Sequence, residues 1–251
     1  MNINVLEIRN YLIKPNVLEH FIDYFEEQFI DSQEAENIRV LGQFRPIGEP
    51  NRFVWLRGFA DMQSRLKSLQ AFYSGAGWEK YGALANEMML EWHNVHLLRP
   101  LTNIDDFLCG LNAEAIAADL AAGTILYETG VLAIDFYQAL PGKRDKLVDK
   151  FQTRIAPIYE NQGIQVRGLF VAEMTENQFV QLPVIQNEDE LVVITAHRSE
   201  EVFCKKRARI APFIDKTIGA CLSPMPTPLL LDPTLRSPLR YLKSELPLAT
   251  P

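Results

Sequence analysis

The chain has 251 residues, 47% of them hydrophobic and 23% charged, with a formal net charge of −7. That is enough apolar material for one large core or two modest ones, and the acidic balance offers no basic field for nucleic acid or an anionic membrane as the main partner. Three widely spaced cysteines (Cys109, Cys204, Cys221), with no CxxC pair, and no apolar run near the ~20 residues of a membrane helix lead us to expect a soluble, cytoplasmic protein with no leader.

Val5 to Ile13 alternates, with Leu6, Ile8 and Leu12 on one side and Glu7, Arg9 and Tyr11 on the other, the period of a strand. Lys14-Pro15-Asn16 breaks it, and Asn16 followed by Glu19 resembles a capping box opening a helix. Leu18, Phe21, Ile22, Phe25 and Phe29 then recur at helical spacing as a stripe that packs on a sheet, with His20 off it. A second strand spans 38–44, with Gly42 marking a bulge or a close backbone approach, and Pro46 to Asn51 turn the chain into a third strand over 53–59. Asp61 caps a second helix with Leu66 and Leu69 on its apolar side. A break at 74–77 leads to a helical stretch with Trp78, Tyr81, Leu84, Ala85 and Met88. A fourth strand runs over 91–98 and stops at Arg99-Pro100. The order β-α-β-β-α-β is the ferredoxin-like unit.

The plan then returns. Ile164-Gln165-Val166-Arg167-Gly168-Leu169-Phe170 echoes Ile38-Arg39-Val40-Leu41-Gly42-Gln43-Phe44 at an offset of 126 residues, and the same offset carries Ile8 onto Ile134, Tyr11 onto Tyr137, Pro15 onto Pro141, Asp23 onto Asp149 and Phe25 onto Phe151. A repeat this long means two whole domains: residues 1–100, a helical linker over 101–128 with a helix at 112–122, a second domain over 129–240, and a tail over 241–251 that is disordered or packs on the other half. In the second domain strands are expected over 131–140, 164–170, 191–197 and near Leu230, a helix around Leu147 to Ile155, another over 200–216, and a longer connection over 172–189.

Several stretches resemble the NIPSNAP family: Glu7-Ile8-Arg9-Asn10-Tyr11, the Lys14-Pro15 turn, Leu41-Gly42, Trp78-Glu79-Lys80-Tyr81 and Asn94-Val95-His96-Leu97-Leu98-Arg99-Pro100. Leu231-Asp232-Pro233-Thr234-Leu235-Arg236-Ser237-Pro238 is similar to the Pro-Thr-x-Arg-Ser motif of bacterial members. The resemblance implies an α+β fold, two tandem ferredoxin-like (βαββαβ) domains forming a dimeric α+β barrel within one chain. That superfamily hosts several chemistries, so the fold does not assign one.

For function, strand parity groups Glu7, Arg9 and Tyr11 on the first strand, Trp55 and Arg57 on the third, and Asn94 and His96 on the fourth; Asp135, Tyr137, Arg167 and His197 form the corresponding set. If those faces coincide, they hold a small hydrophobic or aromatic metabolite, with a cofactor-independent oxygenase or isomerase as the chemistry: Tyr11 donates a hydrogen bond, Arg57 or Arg9 holds an anionic oxygen and His96 takes a proton. The alternative is a non-enzymatic structural or interaction module with a packed barrel and Glu7 paired to Arg57. No cofactor or metal is expected, because His93 and His96 face opposite sides of a strand. Association of two chains is left open.

Overall fold

The computed structural model describes residues 2–101 and 130–241. The expected helix at 112–122 and the tail beyond Tyr241 lie outside the described residues.

The first unit runs β1 (Val5–Ile13), α1 (Leu18–Gln28), α2 (Ile30–Ala35), β2 (Arg39–Pro46), β3 (Arg52–Phe59), α3 (Met62–Tyr73), α4 (Ala76–Met88) and β4 (Met89–Pro100). The second runs β5 (Val131–Gln138), α5 (Arg144–Lys150), a π turn (Phe151–Ile155), α6 (Ala156–Asn161), β6 (Gln165–Ala172), β7 (Glu190–His197), α7 (Glu200–Ile218) and β8 (Leu229–Pro233). The helix expected around Leu147 is interrupted by the π turn just before Pro157, whose missing N–H cannot continue the helical ladder.

Local chemistry fixes the ends. The Asp61 carboxylate accepts from the Ser64 N–H at 2.7 Å and starts α3. Asn16 does not cap α1; it holds φ 66° in the preceding turn, and Val17 stands at the cap without a side-chain bond. Position 142, at the 126-residue offset, is a glycine with φ 70°, and Asn37 (φ 60°) is matched by Gly163 (φ 61°). Asparagine and glycine are the residues that tolerate this left-handed backbone. The expected bulge is present, between Val40 and Gly42, and its counterpart falls between Val166 and Gly168.

Eight strands close in the order β1-β3-β2-β8-β5-β7-β6-β4. The two four-stranded sheets join where β2 meets β8, with Phe44 opposite Pro233, and where β4 meets β6, with Leu98 opposite Ala172, so neither leaves a free edge. Residues from all eight strands fill the interior, among them Leu6, Ile8, Phe44, Leu56, Ile134, Phe170, Ile194 and Leu231. The helices pack outside: α1, α3 and α4 on Val5, Tyr11, Phe53 and Trp55, the second unit's helices on Tyr137, Leu169 and Val193. The Pro-Thr-x-Arg-Ser stretch straps the second unit to the first. Thr234 donates to the buried Glu26 carboxylate, Arg236 donates to the Glu26 carbonyl and to Asp31, and Ser237 accepts from the Gln43 N–H. No helix among the described residues is long and apolar enough to cross a membrane.

Candidate functional site

Hydrophobic side chains from all eight strands pack in the barrel interior, and β1 buries its other face beneath helices, where its polar residues lie. Antiparallel register sets Glu7 opposite Arg57 and Arg9 opposite Trp55. Glu7, fully buried, accepts from Arg57 Nε at 2.7 Å, Arg9 Nη1 at 2.5 Å and Arg65 Nε at 2.6 Å. Arg57 Nη1 also donates to Gln33 of α2 at 3.1 Å, and Arg65 Nη1 to Asn177 at 2.8 Å. The Tyr11 hydroxyl accepts from Arg9 Nε at 2.7 Å, and the Trp55 ring lies about 5 Å from both the Arg9 and Arg57 guanidinium carbons (5.5 and 5.1 Å).

Burial alone would raise the Glu7 carboxyl, but Arg57, Arg9 and Arg65 outweigh it and hold it well below the usual carboxylate range. Burial likewise opposes the charge on Arg9, and Tyr11 and Glu7 more than restore it. Burial pushes the Tyr11 phenol up against the pull of Arg9. Tyr11 is therefore a neutral phenol at pH 7 whose oxygen is engaged by Arg9, leaving its own proton to donate.

Arg9 and Tyr11 form the floor of a cleft of about 720 Å³. Its walls are aromatic and apolar: Tyr73 from α3, Trp78 from α4, Met89 and Trp92 from β4, Phe179 and Leu182 from the connection between β6 and β7. Gln70, Ser74, Asn86 and Gln181 supply neutral polar groups. A side pocket of about 40 Å³ shares Tyr11, Tyr73, Trp78 and Met89 and extends toward Phe25 and Phe29 of the α1 stripe. Trp78 can stand where it does because residue 82, one turn on, is glycine; a Cβ there would come within 2.6 Å of the indole. The connection over 173–189 belongs to the second unit but lies on the first. Ile185 exchanges backbone hydrogen bonds with Val95 and Leu97 (2.7 and 3.0 Å), and Tyr73 stacks on Phe179 at 5.6 Å.

The expected residues separate into three places. Glu7, Arg9, Tyr11, Trp55 and Arg57 come together under the helices, although only Arg9 and Tyr11 reach the cleft. His96 and Asn94 do not join them: register places His96 opposite Ile8 and Asn94 opposite Asn10, on the interior face of the sheet. There His96 Nδ1 lies 2.8 Å from Glu190, and its ring 4.5 Å from Phe136. The triad of Tyr11, Arg57 and His96 is thus divided by the sheet, and His96 cannot act as proton acceptor for a ligand beside Tyr11. The barrel interior is packed with hydrophobic side chains, and Glu7 is paired to Arg57 as the module alternative expects; the cleft of about 720 Å³ lies on the helix side.

Asp135, Tyr137 and His197 gather under the second unit's helices, with the buried Arg167 at the β6 bulge. Asp135 accepts both ends of the Arg207 guanidinium at 2.7 and 2.8 Å, yet burial still raises its carboxyl. Burial also pushes Tyr137 well up and Tyr159 to about 12, while burial, with Lys206 and Arg207, lowers His197 to about 4. The space left beside His197, Thr195 and Tyr159 is about 10 Å³, room for one water at most. His93 is exposed, and among the described residues no three His, Cys, Asp or Glu side chains converge as a metal site would require.

Of the residues lining the cleft only Arg9 and Tyr11 were foreseen; its helix and β4 walls, its 173–189 wall and the Arg65 behind its floor were not. Arg65 is buried at helical spacing from Leu69 and Phe72, a stripe position where a charged residue is itself a signal. The 173–189 wall has no periodicity to mark it.

Residues 6–102 match the NIPSNAP family model. No curated protein matches the chain. Among solved structures, a candidate monooxygenase from Fusobacterium nucleatum superposes with a TM-score of 0.61 at 6% identity, and another from Lactobacillus acidophilus with 0.57 at 11%, each match covering 92% of this chain and 93% of the other. At such identities the likeness is one of fold. A NIPSNAP-like domain protein from Burkholderia xenovorans, 24% identical, covers 41% of this chain and 89% of its own, with a TM-score of 0.37. Over the first unit of its α+β barrel the chain is similar to the NIPSNAP family.

Proposed function

We propose that this protein binds a small, flat, hydrophobic or aromatic molecule in the cleft between the first unit's sheet and its helices. The observation that carries the reading is a cavity of about 720 Å³, within the usual size of ligand sites, walled by aromatic rings and floored by two convergent polar groups. The aromatic walls supply contact area, and Arg9 and Tyr11 fix orientation. No carboxylate or imidazole lines the cleft. Its residues are therefore equipped to hold and polarise an oxygen, and turnover, whether of the oxygenase kind that the names of two fold neighbours carry or of an isomerase kind, would need a ligand that arrives already ionised or ionises against Arg9.

A thermal-shift screen of one- to three-ring aromatic compounds on the wild type and on Trp78→Ala tests this. Binding stabilises by mass action, about 2.7 kcal/mol at a hundredfold excess over Kd, and truncating one aromatic wall should weaken a hit roughly tenfold. A screen without hits, or hits of equal strength in Trp78→Ala and Tyr73→Ala, would overturn the assignment.

A further inference from the structure

We infer that the cleft selects its ligand by negative charge: the occupant is an aromatic acid, or a flat molecule with another ionised oxygen, whose anionic group docks at Arg9 and Tyr11. The inference deepens the proposed function and rests on it.

It comes from an uncompensated cationic cluster lying against the cleft floor. The guanidiniums of Arg9, Arg57 and Arg65 share the Glu7 carboxylate, and among the described residues no second carboxylate pairs with any of them. Two positive charges are left in excess within a layer where the three side chains are 1%, 0% and 1% exposed. Buried charge without a counter-charge is costly, and an incoming anion relieves that cost. Arg57 and Arg65 are fastened behind the floor by Gln33 and Asn177, and each keeps a buried Nη2 with no hydrogen-bond partner.

Arg9 is the cluster's outlet. It commits Nε to Tyr11 and Nη1 to Glu7, which leaves Nη2 for the cleft that the residue lines. Tyr11 accepts from Arg9 and so presents its own O–H as a second donor at the same floor. A guanidinium N–H beside a phenol O–H suits a carboxylate or a phenolate. The remaining polar groups of the cleft are neutral, so nothing there repels an anion, while a cation would meet Arg9.

The test compares matched pairs at pH 7: benzoate with benzamide, 2-naphthoate with 2-naphthamide, and anthracene-2-carboxylate with its amide. Kd is read from intrinsic tryptophan fluorescence in the wild type, Arg9→Gln and Tyr11→Phe. We expect at least one acid to bind about tenfold tighter than its amide or more, and the gap to close to about threefold or less in Arg9→Gln, where the acid loses more affinity than the amide. Should Arg9→Gln not fold, Tyr11→Phe removes the O–H donor together with the acceptor of Arg9 Nε, and is expected to weaken the acid about three- to tenfold and the amide less. Acid and amide binding the wild type equally would overturn the charge selection while leaving the cleft assignment standing. Failure of all six compounds to bind would sink both.

Discussion

At one register position the first unit sets Glu7 opposite Arg57, and the second sets Ala133 opposite Thr195; two residues along, Arg9 opposite Trp55 becomes Asp135 opposite Val193. The backbone devices are shared, since the bulge after Val40 returns after Val166 and the left-handed turns at Asn16 and Asn37 return at Gly142 and Gly163. What differs is the layer between sheet and helices. The first holds a three-guanidinium cluster and an open cleft; the second holds the Asp135–Arg207 pair and, beside His197, a space of only about 10 Å³. The difference teaches that in this barrel the site depends on side chains and on one borrowed connection: the short β2–β3 turn has as its counterpart the long β6–β7 connection, which crosses to the other unit and walls its cleft.

The contrast is sharpest in the buried charges. Glu7→Gln strands three guanidiniums and is expected to cost about 3–5 kcal/mol in urea unfolding. Asp135→Asn should cost less, about 1–3 kcal/mol, because Arg207 is 18% exposed and can reach water. Equal losses would break the distinction between the layers.

Acid separates them by pH. His197 is held neutral in the fold at about 4 against an ordinary 6.5, so the unfolded chain binds the proton first. Stability is lost as pH falls from 6.5 toward 4, by up to about 3 kcal/mol. Glu7 is depressed below its ordinary 4.5, so its contribution is fully present above that pH and declines only beneath it. In acid-unfolding profiles His197→Gln should flatten the first window and Glu7→Gln the second; a slope between pH 6.5 and 4 that survives His197→Gln would contradict this placement.

Gly82→Ala pushes on the Trp78 indole, so it should cost about 1–2 kcal/mol and weaken cleft ligands, measured by the same fluorescence titration. The smallest effect is expected from Gly142→Asn, within about 0.5 kcal/mol, since Asn16 already holds that backbone in the other unit. A larger loss would show that the two turns are not equivalent.

Much of this was legible in the sequence. The ends of β1 are those of its alternating stretch, the bulge at Gly42 follows from a glycine inside an alternating strand, and Asp61 announces α3. The grouping of Glu7, Arg9 and Tyr11 also followed from parity. Parity could not say which side of the sheet is which, because in a closed barrel under helices both faces of β1 are buried and neither reads as solvent. It could not join strands either: His96 shares a face with Ile8, not with Glu7, and only register reveals it. The cleft wall from 173–189 carries no spacing to read because the connection is aperiodic, whereas Arg65, in line with Leu69 and Phe72, stands at a stripe position that marks it as buried without naming its carboxylate.

All three tryptophans of the chain, Trp55, Trp78 and Trp92, lie in the first unit, and the latter two line the cleft. Indole ¹⁵N–¹H NMR during titration with 2-naphthoate therefore tests the central claim most directly. Large, saturable shifts of the Trp78 and Trp92 signals, lost or weakened in Arg9→Gln, are the expected result. Saturable binding that leaves both signals in place would put the ligand elsewhere and contradict the account.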